Sequence, residues 1–594
     1  MALSPAQLAK QKKEAEELLF SGPETLGYAK ALFFGHVNAP LIFPYPEQSS
    51  EVQSQLDLIL AKVRSFAAEK IDPVAIDHEA DIPRSTIAGL AELGVLGMTA
   101  PVTCGGQGLS QQSYVQVMEI IGGRCSSTAV FVNAHHSIGI RALLLFGTKE
   151  QQERWLPDLV AGRKLGAFAL TEPEAGSDAA NVRTTATPSE DGTAYILNGE
   201  KRYITNAAIA DVLTVMARTP APTPENPQES KITAFLVTPD LPGFEIIEAR
   251  MPKCGIRGTA TGRLRFTNMR VPKANILGAP GKGLRIALTT LDFGRTTFGA
   301  SCTGAAKFCL HAAVKHAKSR VQFQQPIAEF ELVKKKIAYM AAHAFAMEAA
   351  TRQCAAFIDR GAEDYMLETA ILKIFATEHL WTIINDTIQI FGGKAYFNDE
   401  PYERMMRDAR INTIGEGAND VLKAFVAVVG CRAPGLRLDR IRKSPLRMAG
   451  WACGHLWQWL PIAGKPSFPV VNAELHSASE QLSRQVKRFG LNLPWVFKMC
   501  GTEERFIQAQ LLHERIADIA IDLYTSSCVL SRLDQLLTHK PTQSAPASPP
   551  AAEIAAGKNF LKIADRRIDS AIKALYENDD DDTIATANSA LSRW

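Results

Sequence analysis

The sequence predicts an α+β fold in which helical and β-rich segments are segregated along the chain. Apolar residues follow a helical spacing from about 51 to 166, and short runs of β-branched and aromatic residues fill about 165–275. Long helical patterns return from about 283 to 430. Because strands do not alternate with helices, a doubly wound nucleotide-binding core is disfavoured.

Length and composition fit a large globular protein with several domains. The chain has 594 residues, of which 46% are apolar and 21% charged, and its net charge is +3. At roughly 100–200 residues per domain, about three to five domains are expected. The balanced charge excludes a surface built throughout for nucleic acid, and it excludes a highly charged disordered chain.

The cysteines and the N-terminal residues indicate a cytosol-like compartment. The ten cysteines are scattered and none forms a CxxC pair, so neither a zinc ribbon nor a thioredoxin-type motif is present. The first 20 residues mix Lys with Glu, which is not typical of a signal or transit peptide. No uninterrupted run of about 18 apolar residues occurs, so no membrane-spanning helix is expected. The prediction is a cytoplasmic, bacterial-type protein without a targeting peptide.

The remaining elements follow from local patterns. Residues 1–50 predict an amphipathic helix and then an irregular Pro-rich stretch. The β-rich region is expected to be antiparallel, as a barrel or a sandwich, because Asn-Gly and Asp-Gly turns separate its runs. Residues 431–475 are expected to be irregular, and they include Trp451, Trp457 and Trp459. Beyond them the sequence predicts helices over about 474–490, 503–538 and 551–577, a Pro-rich linker at 541–553, and a solvated acidic loop in the ENDDDD tail.

Several common catalytic motifs are missing from the sequence. It contains no GxxxxGK[ST] loop, no GxGxxG between a strand and a helix, no HExxH and no GxSxG. His135-His136 is the only pair of adjacent histidines, and no third ligand lies at a metal-like spacing. No metal is therefore expected, and a hydrogen-bonded histidine pair on a helix is the favoured interpretation.

Two segments at strand ends could receive a flat, phosphorylated ligand. The run from Phe168 to Asp178, FALTEPEAGSD, ends a strand in Thr and small residues that expose backbone N–H groups and hydroxyls. In Arg202-Tyr-Ile-Thr-Asn206, an aromatic residue and a Thr two positions apart would point to one face of a strand. A tight turn and ordinary strand residues would give the same two patterns.

Two further segments carry phosphate-type and carboxylate chemistry. RVQFQQPI, from Arg320 to Ile327, offers an arginine, and QIFGG, from Gln389 to Gly393, allows close backbone approach, although each could be a capped helix end. Glu416 lies between two glycines just before an apolar helical run. It is either a carboxylate at a helix N-terminus or one held on a bare elbow and aimed into a cavity, where burial would raise its pKa and make it a general base.

Together these segments resemble acyl-CoA dehydrogenases. The signatures are TEPEAGSD, KCGIR from Lys253, the run from Phe266 through Val271-Pro272 to Gly278, RVQFQQPI, QIFGG, and RMMRDARI followed by GEG. The chain is most similar to the very-long-chain acyl-CoA dehydrogenase branch, on the evidence of the N-terminal FFGHVNAPLIFPYPE segment and the C-terminal IDLYTSSCVLSR segment. The resemblance covers nearly the whole chain and fades after about residue 540.

The resemblance implies a fold and a division of the chain. The expected architecture is an N-terminal α-helical domain, a middle β-barrel and a C-terminal four-helix bundle, followed by a helical extension. The expected parts are an arm at 1–50, the helical domain at 51–164, the barrel at 165–280, the four-helix domain at 281–430 and the extension at 431–594. FAD would lie between the barrel and the four-helix domain, partly across a subunit interface.

The resemblance also assigns the site residues. Glu416 matches the catalytic base. The FAD contacts would be Phe168, Leu170, Thr171, Gly176, Ser177, Tyr203, Thr205, Arg320, Phe323, Gln389, Gly392, Gly393, Ala418 and Asp420. The contacts to the acyl-CoA substrate would be Ser177, Asp292, Arg295, Ala129, Asn133 and Gly417. Arg320, Phe323, Gln389 and Gly393 are expected to meet the FAD of the partner subunit, and Asp292 and Arg295 the CoA arm.

The implied reaction is α,β-dehydrogenation of a fatty acyl-CoA thioester to a trans-2-enoyl-CoA. Glu416 would remove the α-proton while the β-hydrogen leaves as hydride to flavin N5, and an electron-transfer flavoprotein would reoxidise the cofactor. The thioester carbonyl would accept a hydrogen bond from the Glu416 backbone N–H. Some family members place the base on the helix after the β-domain, where this chain has Gly294, so Glu416 is the expected base.

The sequence departs from the family at a few positions. Ala418 replaces the usual Thr after the base, Gly415 replaces the usual aromatic before it, and Gln324 replaces a frequent Gly, which is expected to shift the turn near Arg320. Two glycines that open the acyl tunnel in long-chain relatives are replaced by Ala129 and Asn133. The tunnel is therefore expected to be shorter, or to bend elsewhere, and the substrate to have a medium or long chain.

Two alternatives to a dehydrogenase stay open from the sequence. One is an oxidase or monooxygenase on the same fold, and the other is a non-catalytic relative that acts in assembly or binding.

The extension carries a basic segment (Arg432, Arg437, Arg440, Arg442, Lys443 and Arg447). In the resembling branch this part stabilises a homodimer and contacts the inner membrane, so both are expected, with plain core packing as the alternative. No nucleic-acid partner is expected.

Overall fold

The computed structural model describes residues 26–224, 226–444, 464–538 and 551–594. Its N-terminal part is helical. The helices are α1 (Tyr28–Leu32), α2 (Ser50–Lys70), α3 (Pro73–Glu79), α4 (Arg84–Glu92), α5 (Gln111–Arg124), α6 (Ser126–Val132), a π-helical turn (Asn133–Gly139), α7 (Arg141–Phe146) and α8 (Lys149–Val160). Local sequence sets their starts: the Asp72 side chain caps α3, which opens on Pro73, and Thr148 forms a capping box with Gln151 on α8.

A curled β-sheet follows the helices. Its strands are β1 (Gly166–Ala169), β2 (Thr185–Pro188), β3 (Ala194–Ile204), β4 (Val212–Pro220), β5 (Ser230–Val237), β6 (Phe244–Glu248), β7 (Gly262–Pro272) and β8 (Ile276–Leu277). The strand order is β6-β7-β3-β2-β4-β5-β8, and β1 pairs with β4. Alternating residues of β7, such as Leu264 and Phe266, fill the core between the strands.

The second helical part contains the longest helices. They are α9 (Gly283–Ser319), α10 (Glu331–Asp359), α11 (Met366–Phe391), α12 (Tyr402–Arg410) and α13 (Asn419–Arg442), and a two-stranded hairpin of β9 (Val321–Gln322) and β10 (Gln325–Pro326) follows α9. Small residues let these helices approach closely. A Cβ added to Gly304 of α9 would overlap the carbonyl oxygen of Glu119 on α5, which fixes the two backbones in contact.

The C-terminal extension packs on the second helical part. Its helices are α14 (His476–Cys500), α15 (Glu503–Gln508), α16 (Gln510–Thr538), α17 (Ala551–Ala574) and α18 (Asp580–Arg593). Buried residues of α16 and α17 join one core with those of α10 and α11. Arg532 of α16 is buried and pairs with Glu348 of α10 at 2.7 Å. The extension is thus continuous with the helical body that carries Glu416.

The order helical, β-rich, helical, then a helical extension confirms the predicted fold class. The histidine pair also agrees with its interpretation: His135 accepts a hydrogen bond from the Gly166 N–H at 2.9 Å, and His136 Nδ1 lies 3.1 Å from the Leu96 carbonyl. Among the described residues no group of three or more His, Cys, Asp and Glu side chains could hold a metal.

Three details of the sequence prediction are wrong. The pair β1–β4 is parallel, not antiparallel. Residues 431–442 continue helix α13. The acidic tail is not a loop, because Asp580, Asp581 and Asp582 form the first turn of α18, where the helix dipole favours carboxylates. The helix expected within residues 1–25 and most of the 541–553 linker lie outside the described residues, as do the three tryptophans of 451–459.

One helical stretch meets a length-and-composition criterion for crossing a membrane, although no such helix was expected. It runs from Ser126 to Phe146 and spans α6, the π turn and α7. In its most apolar window, 72% of the residues are buried inside the protein. Its apolar character is therefore explained by its position in the core, directly beside the site described next.

Candidate active site

The candidate base Glu416 sits on a strained elbow between helices α12 and α13. Glu416 has a φ of +56° and Gly417 a φ of +102°. Side chains rarely adopt such values, so this backbone costs about 1–3 kcal/mol that the surrounding contacts must hold in place. The glycine-flanked elbow expected from the sequence is thus present, with Glu416 in a left-handed backbone conformation.

The Glu416 carboxylate faces side chains from three other elements. Asn133, the first residue of the π turn, donates from Nδ2 to Oε1 at 2.5 Å. Oε2 is inaccessible to solvent and has no hydrogen-bond partner among the described residues. Burial raises the pKa of Glu416 to about 7, against the opposing influence of Arg295, Lys373 and the Asn133 amide. A carboxylate with a pKa near neutrality suits a general base.

Lys373, at the middle of α11, supports the elbow from inside the protein. Its side chain is fully buried, and its ammonium donates to the Gly417 carbonyl at 2.7 Å and to Asn419 Oδ1 at 2.8 Å. Asn419 in turn donates to Thr377 Oγ1 at 3.0 Å. Burial lowers the pKa of Lys373 to about 8, and the nearby Glu416 carboxylate opposes this shift. The lysine therefore fixes the backbone on the C-terminal side of the base.

Asp292 and Arg295 form a buried pair on α9 beneath the same elbow. Their side chains lie 3.1 Å apart, and Thr369 donates to Asp292 Oδ1 at 2.8 Å. Arg295 Nε donates to the Glu416 carbonyl at 3.5 Å. Burial raises the pKa of Asp292 to about 6. The structure thus places this pair against the base, and its contact with the CoA arm stays a prediction.

Gly294 lies directly against the carboxylate. A Cβ at this position would lie 2.6 Å from Glu416 Oε2. Any side chain at residue 294 would occupy the space that the Glu416 carboxylate fills. A base on α9 and a base on the elbow therefore exclude each other in this fold, which agrees with Gly294 and Glu416 occurring together.

A small cavity of about 20 Å³ lies behind Asn133 between the helices. Both tunnel positions expected from the sequence, Ala129 and Asn133, line it. Its other lining residues are Gly122, Ser126, Val130, Phe298, Ser301, Cys302, Ala305, Leu380 and Asn412. The Asn133 Oδ1 atom is buried without a partner among the described residues. Asn133 links this cavity to the base, because it lines the cavity and its amide contacts the Glu416 carboxylate.

The two strand-end segments contact each other in the structure. The Arg202 N–H donates to the Thr171 carbonyl at 3.0 Å. Glu172 anchors the turn: its carboxylate accepts from Lys201 Nζ at 2.7 Å and from Thr184 Oγ1 at 2.6 Å, and Lys201 also reaches the Leu170 carbonyl at 3.1 Å. This buried ion pair leaves Gly176 and Ser177 exposed at the turn's outer side. Phe168, in contrast, packs its ring into the core.

Tyr203 is presented differently from the sequence prediction. Its φ is +61°, and a register irregularity between Lys201 and Ile204 interrupts the pairing of β3 with β7. Because a bulge breaks the two-residue alternation, Tyr203 and Thr205 do not share a strand face, and Thr205 lies beyond the end of β3. The Tyr203 ring is 57% exposed, with the Arg202 guanidinium 4.8 Å from its centre.

The remaining expected cofactor contacts lie at the far end of α9. Arg320 follows Gly294 by 26 residues, so the helix carries it about 39 Å from the base at ~1.5 Å per residue. The next turn has φ values of +52° at Phe323 and +67° at Gln324, the geometry of a two-residue hairpin. Gln324 thus adopts the conformation that glycine would favour. Within one subunit this group is separate from Glu416.

The open surfaces of these segments fit a dinucleotide cofactor. Gly176, Gly392 and Gly393 have no atom within 4 Å of the place a Cβ would occupy. Among the other predicted contacts, Phe323 is 89% exposed and the ring of Tyr203 is also exposed. Ala418 and Asp420 frame the start of α13, the former partly buried and the latter exposed. Exposed rings, bare backbone and an arginine are the groups that would receive a heterocycle and phosphates.

Sequence reasoning missed three residues that build the site. Lys373 interrupts the apolar run AILKIF of α11, and a lone lysine in such a run is a signal of a buried, paired ammonium. Glu172 lies within a segment that the sequence singled out and Lys201 directly precedes another, but nothing in the spacing predicts that they pair. Their contact depends on the meeting of β1 and β3, which only the tertiary structure provides.

Family models match most of the chain. They describe the N-terminal domain of acyl-CoA dehydrogenases at residues 53–163, the middle domain at 167–269 and the C-terminal domain at 281–429. A fourth model, for the ACAD9/ACADV C-terminal domain, matches residues 473–592. The four matches follow the same order as the helical, β-rich, helical and extension parts of the structure.

Individual proteins are similar over nearly the full length. The chain is 36% identical over 546 residues to the very long-chain specific acyl-CoA dehydrogenase of human mitochondria, covering 90% of this chain and 82% of that protein. It is 34% identical over 598 residues to the probable acyl-CoA dehydrogenase FadE10 of Mycobacterium tuberculosis, covering 97% and 90%.

A solved structure has the same fold. The acyl-CoA dehydrogenase from Bacillus anthracis, solved in complex with FAD, superimposes with a TM-score of 0.77 at 28% identity, covering 95% of this chain and 94% of that one. The matched family models, the relatives and the geometry around Glu416 agree. This chain belongs to the acyl-CoA dehydrogenase family, and it is an oxidoreductase of that family.

Proposed function

We propose that this protein dehydrogenates fatty acyl-CoA thioesters to trans-2-enoyl-CoA in fatty-acid β-oxidation, with Glu416 as the general base. The observation that carries the proposal is the Glu416 carboxylate: it is held on a strained elbow, has a pKa raised to about 7, and contacts Asn133, which lines a small cavity between helices. FAD is the cofactor, and when bound it supplies the acceptor for the hydride that leaves the β-carbon.

The chain's own residues perform the proton chemistry. Glu416 takes the α-proton of the thioester, and transfer to a buried carboxylate is favourable because it removes a charge from a poorly solvated site. Within the described part of the chain, the Glu416 N–H donates to no backbone carbonyl, so it is available to the thioester oxygen on which negative charge develops. Arg295 and Lys373 keep enough of Glu416 ionised at neutral pH to serve as the base.

The test is reduction of the bound flavin by substrate. Purified holoenzyme is mixed anaerobically with acyl-CoAs of graded chain length, and the flavin absorbance is followed. We expect bleaching with the wild-type protein. Glu416→Gln should still bind substrate but bleach at least about 10³-fold more slowly, since general bases contribute about 10²–10⁴-fold. No bleaching by any acyl-CoA would contradict the proposal.

The same experiment separates the alternatives. Failure to bind FAD at all would favour a non-catalytic role in assembly or binding. Fast reoxidation by air after bleaching would favour an oxidase or monooxygenase. Slow reoxidation in air and rapid reoxidation by an electron-transfer flavoprotein would support that protein as the electron acceptor, which we propose from the family.

We propose that the substrate chain is medium to long and that the tunnel is shorter than in very-long-chain relatives. Ala129 and Asn133 both line the cavity and narrow it next to the base. Activity should therefore peak at intermediate length. A rate that rises steadily out to about twenty carbons would contradict the shorter tunnel.

We propose further that the protein is a homodimer in a reducing, cytosol-like compartment. The nine cysteines of the described ranges are all free thiols.

Basic side chains are exposed at the end of α13 (Arg437, Arg440, Arg442 and Lys443), which suits contact with an anionic membrane surface. Flotation with anionic vesicles at low and high salt tests this contact, and the absence of salt-sensitive binding would exclude a membrane role.

A further inference from the structure

Asn133 donates a direct hydrogen bond to the Glu416 carboxylate. Its Nδ2 lies 2.5 Å from Oε1, and the residue is only 3% exposed. It is the one hydrogen-bond donor to this carboxylate in the part of the chain that the structure describes. Since an amide N–H donates and an ionised carboxylate only accepts, this contact favours the charged form of Glu416.

The contact also distinguishes the two carboxylate oxygens. Oε1 is engaged by Asn133, whereas Oε2 is buried without a partner and faces the gap over Gly294. An oxygen whose lone pairs are free can accept a proton, while one that already accepts a short charge-assisted bond is a poorer acceptor. The geometry therefore leaves Oε2 as the basic atom.

Local backbone structure fixes the position of Asn133. It begins the π-helical turn Asn133–Gly139, directly after the regular helix α6. Single π turns within helices are rare and are found mostly at functional sites, because the wider turn re-aims a side chain. Farther along the same turn, Ser137 is tied to Thr297 at 2.8 Å and to Tyr114 at 3.2 Å, which holds the turn against α9 and α5.

We propose that Asn133 is a positioning residue for Glu416: its amide orients the carboxylate and holds the base in the ionised form. This inference rests on the proposed function and deepens it. The other groups that face Glu416 are Arg295 of α9 and Lys373 of α11, both cationic, and the bare Gly294 of α9. Within this set, Asn133 is the group that donates a hydrogen bond to a carboxylate oxygen.

The test compares the pH dependence of flavin reduction in three holoenzymes. Wild type, Asn133→Ala and the isosteric Asn133→Asp are mixed anaerobically with one acyl-CoA, and the rate is followed from pH 5.5 to 9. Because Glu416 must be ionised to act, the rate falls on the acidic side of its pKa. Loss of the amide should move this acidic midpoint upward by about one unit in Asn133→Ala. Asn133→Asp should move it further, since two carboxylates in contact oppose each other's ionisation.

A matched control separates positioning from folding. Ser531→Ala removes a buried hydroxyl of α16 that donates to the Ile42 carbonyl at 2.8 Å, without touching Glu416 or the π turn. It should lower the melting temperature to a similar degree as Asn133→Ala and leave the acidic midpoint unchanged. Asn133→Gln, which keeps an amide donor, should recover part of the wild-type midpoint.

The outcomes are distinguishable from a failure of the proposed function. If wild-type protein does not bleach, the proposed function fails. If wild type bleaches and both Asn133→Ala and Asn133→Asp titrate at the wild-type midpoint, the role of Asn133 is overturned while the function stands. If Asn133→Ala does not fold, the isosteric Asn133→Asp decides alone, since its size and shape match the native residue.

Discussion

At the scale of single residues, a small number of neighbouring groups sets the position and the pKa of the Glu416 carboxylate. Glu416 has one hydrogen-bond donor, two cations nearby and one bare glycine. The identity of the base could be predicted because glycines on both sides leave a distinctive mark in the sequence. Asn133, Lys373 and Arg295 lie 283, 43 and 121 positions away along the chain, so no local pattern could show that they meet there.

Lys373 is a buried cation whose removal should weaken the base. Lys373→Met leaves the Gly417 carbonyl and Asn419 Oδ1 without their donor and removes positive charge near Glu416. We expect the rate of flavin reduction at pH 7 to fall by at least about tenfold, and its acidic midpoint to rise by about one unit. Stopped-flow absorbance over a pH series measures both. Lys423→Met, which removes an ammonium 3.1 Å from Asp518 but away from the elbow, should keep the wild-type midpoint.

Glu368 on α11 makes stability depend on pH. It is 1% exposed and accepts the Ala29 N–H at 2.7 Å, and burial raises its pKa from 4.5 to about 7. A raised folded-state pKa means that the folded protein binds this proton more tightly than the unfolded chain does. The contribution of Glu368 to the stability of the protein is therefore largest at low pH, and it is lost as the pH rises from about 4.5 through 7.

Glu368→Gln should remove that loss, since an amide does not ionise. The difference in melting temperature, variant minus wild type, should increase from pH 5.5 to pH 8, corresponding to about 2–3 kcal/mol at the higher pH. Differential scanning calorimetry at the two pH values measures it. A difference that is the same at both would show that Glu368 titrates normally.

At the scale of elements, the sequence predicts helices and strands where spacing is regular and fails where tertiary contacts override it. The helix α9 and the strands β3, β4 and β7 fall where periodicity places them. The parallel β1–β4 pair, the bulge before Tyr203 and the π turn at Asn133 do not, because each arises from how elements meet. Two of these three exceptions lie at the candidate site, where departure from local preference is expected.

The contact between α5 and α9 is an element-scale feature that should be sensitive to a single methyl group. A Cβ on Gly304 would overlap the Glu119 carbonyl, so Gly304→Ala must push the two helices apart. We expect a loss of about 1–3 kcal/mol, as for other overpacked sites, seen as a lower melting temperature. Gly122 of α5 and Ser301 of α9 line the cavity. Moving these two helices apart should therefore change the preferred acyl chain length as well.

Gly435→Ala is the matched control for that substitution. Gly435 lies inside helix α13 and has no atom within 4 Å of an added Cβ. Alanine is the better helix former, so this variant should be neutral or slightly stabilising. If Gly304→Ala melts at the same temperature as Gly435→Ala, the two helices are not in the tight contact described here.

At the scale of the whole molecule, the extension is part of one body with the catalytic helices. Arg532 pairs with Glu348 at 2.7 Å and with Glu553 at 3.2 Å, and its guanidinium lies 4.3 Å from the Phe345 ring. Arg567 of α17 forms a second buried pair with Asp522 of α16 and also reaches His343 of α10 at 3.0 Å. The sequence predicted the helices of the extension, but this attachment depends on charges distributed over three helices.

An aromatic surface at the end of the molecule distant from the base supports the proposed homodimer. We define it as Phe323, Tyr396 and Phe397, which are 89%, 79% and 65% exposed. The helix ends that carry these residues are joined by stacked rings of His316 and Phe391, 4.0 Å apart. Large apolar side chains in such a group are typical of an interface between subunits.

Charge placed on this aromatic surface should therefore separate the subunits. Phe323→Asp combined with Phe397→Asp should shift the sedimenting species from twice 64.7 kDa to 64.7 kDa. FAD content, measured from absorbance, should fall with it, because Arg320 lies about 39 Å along α9 from the Gly294 site and can assist a cofactor near the base only from a second subunit. Trp594→Asp, at a 96% exposed side chain, should leave both unchanged. A double variant that stays dimeric with full FAD content would place the interface elsewhere, and a monomeric wild-type protein would refute the homodimer.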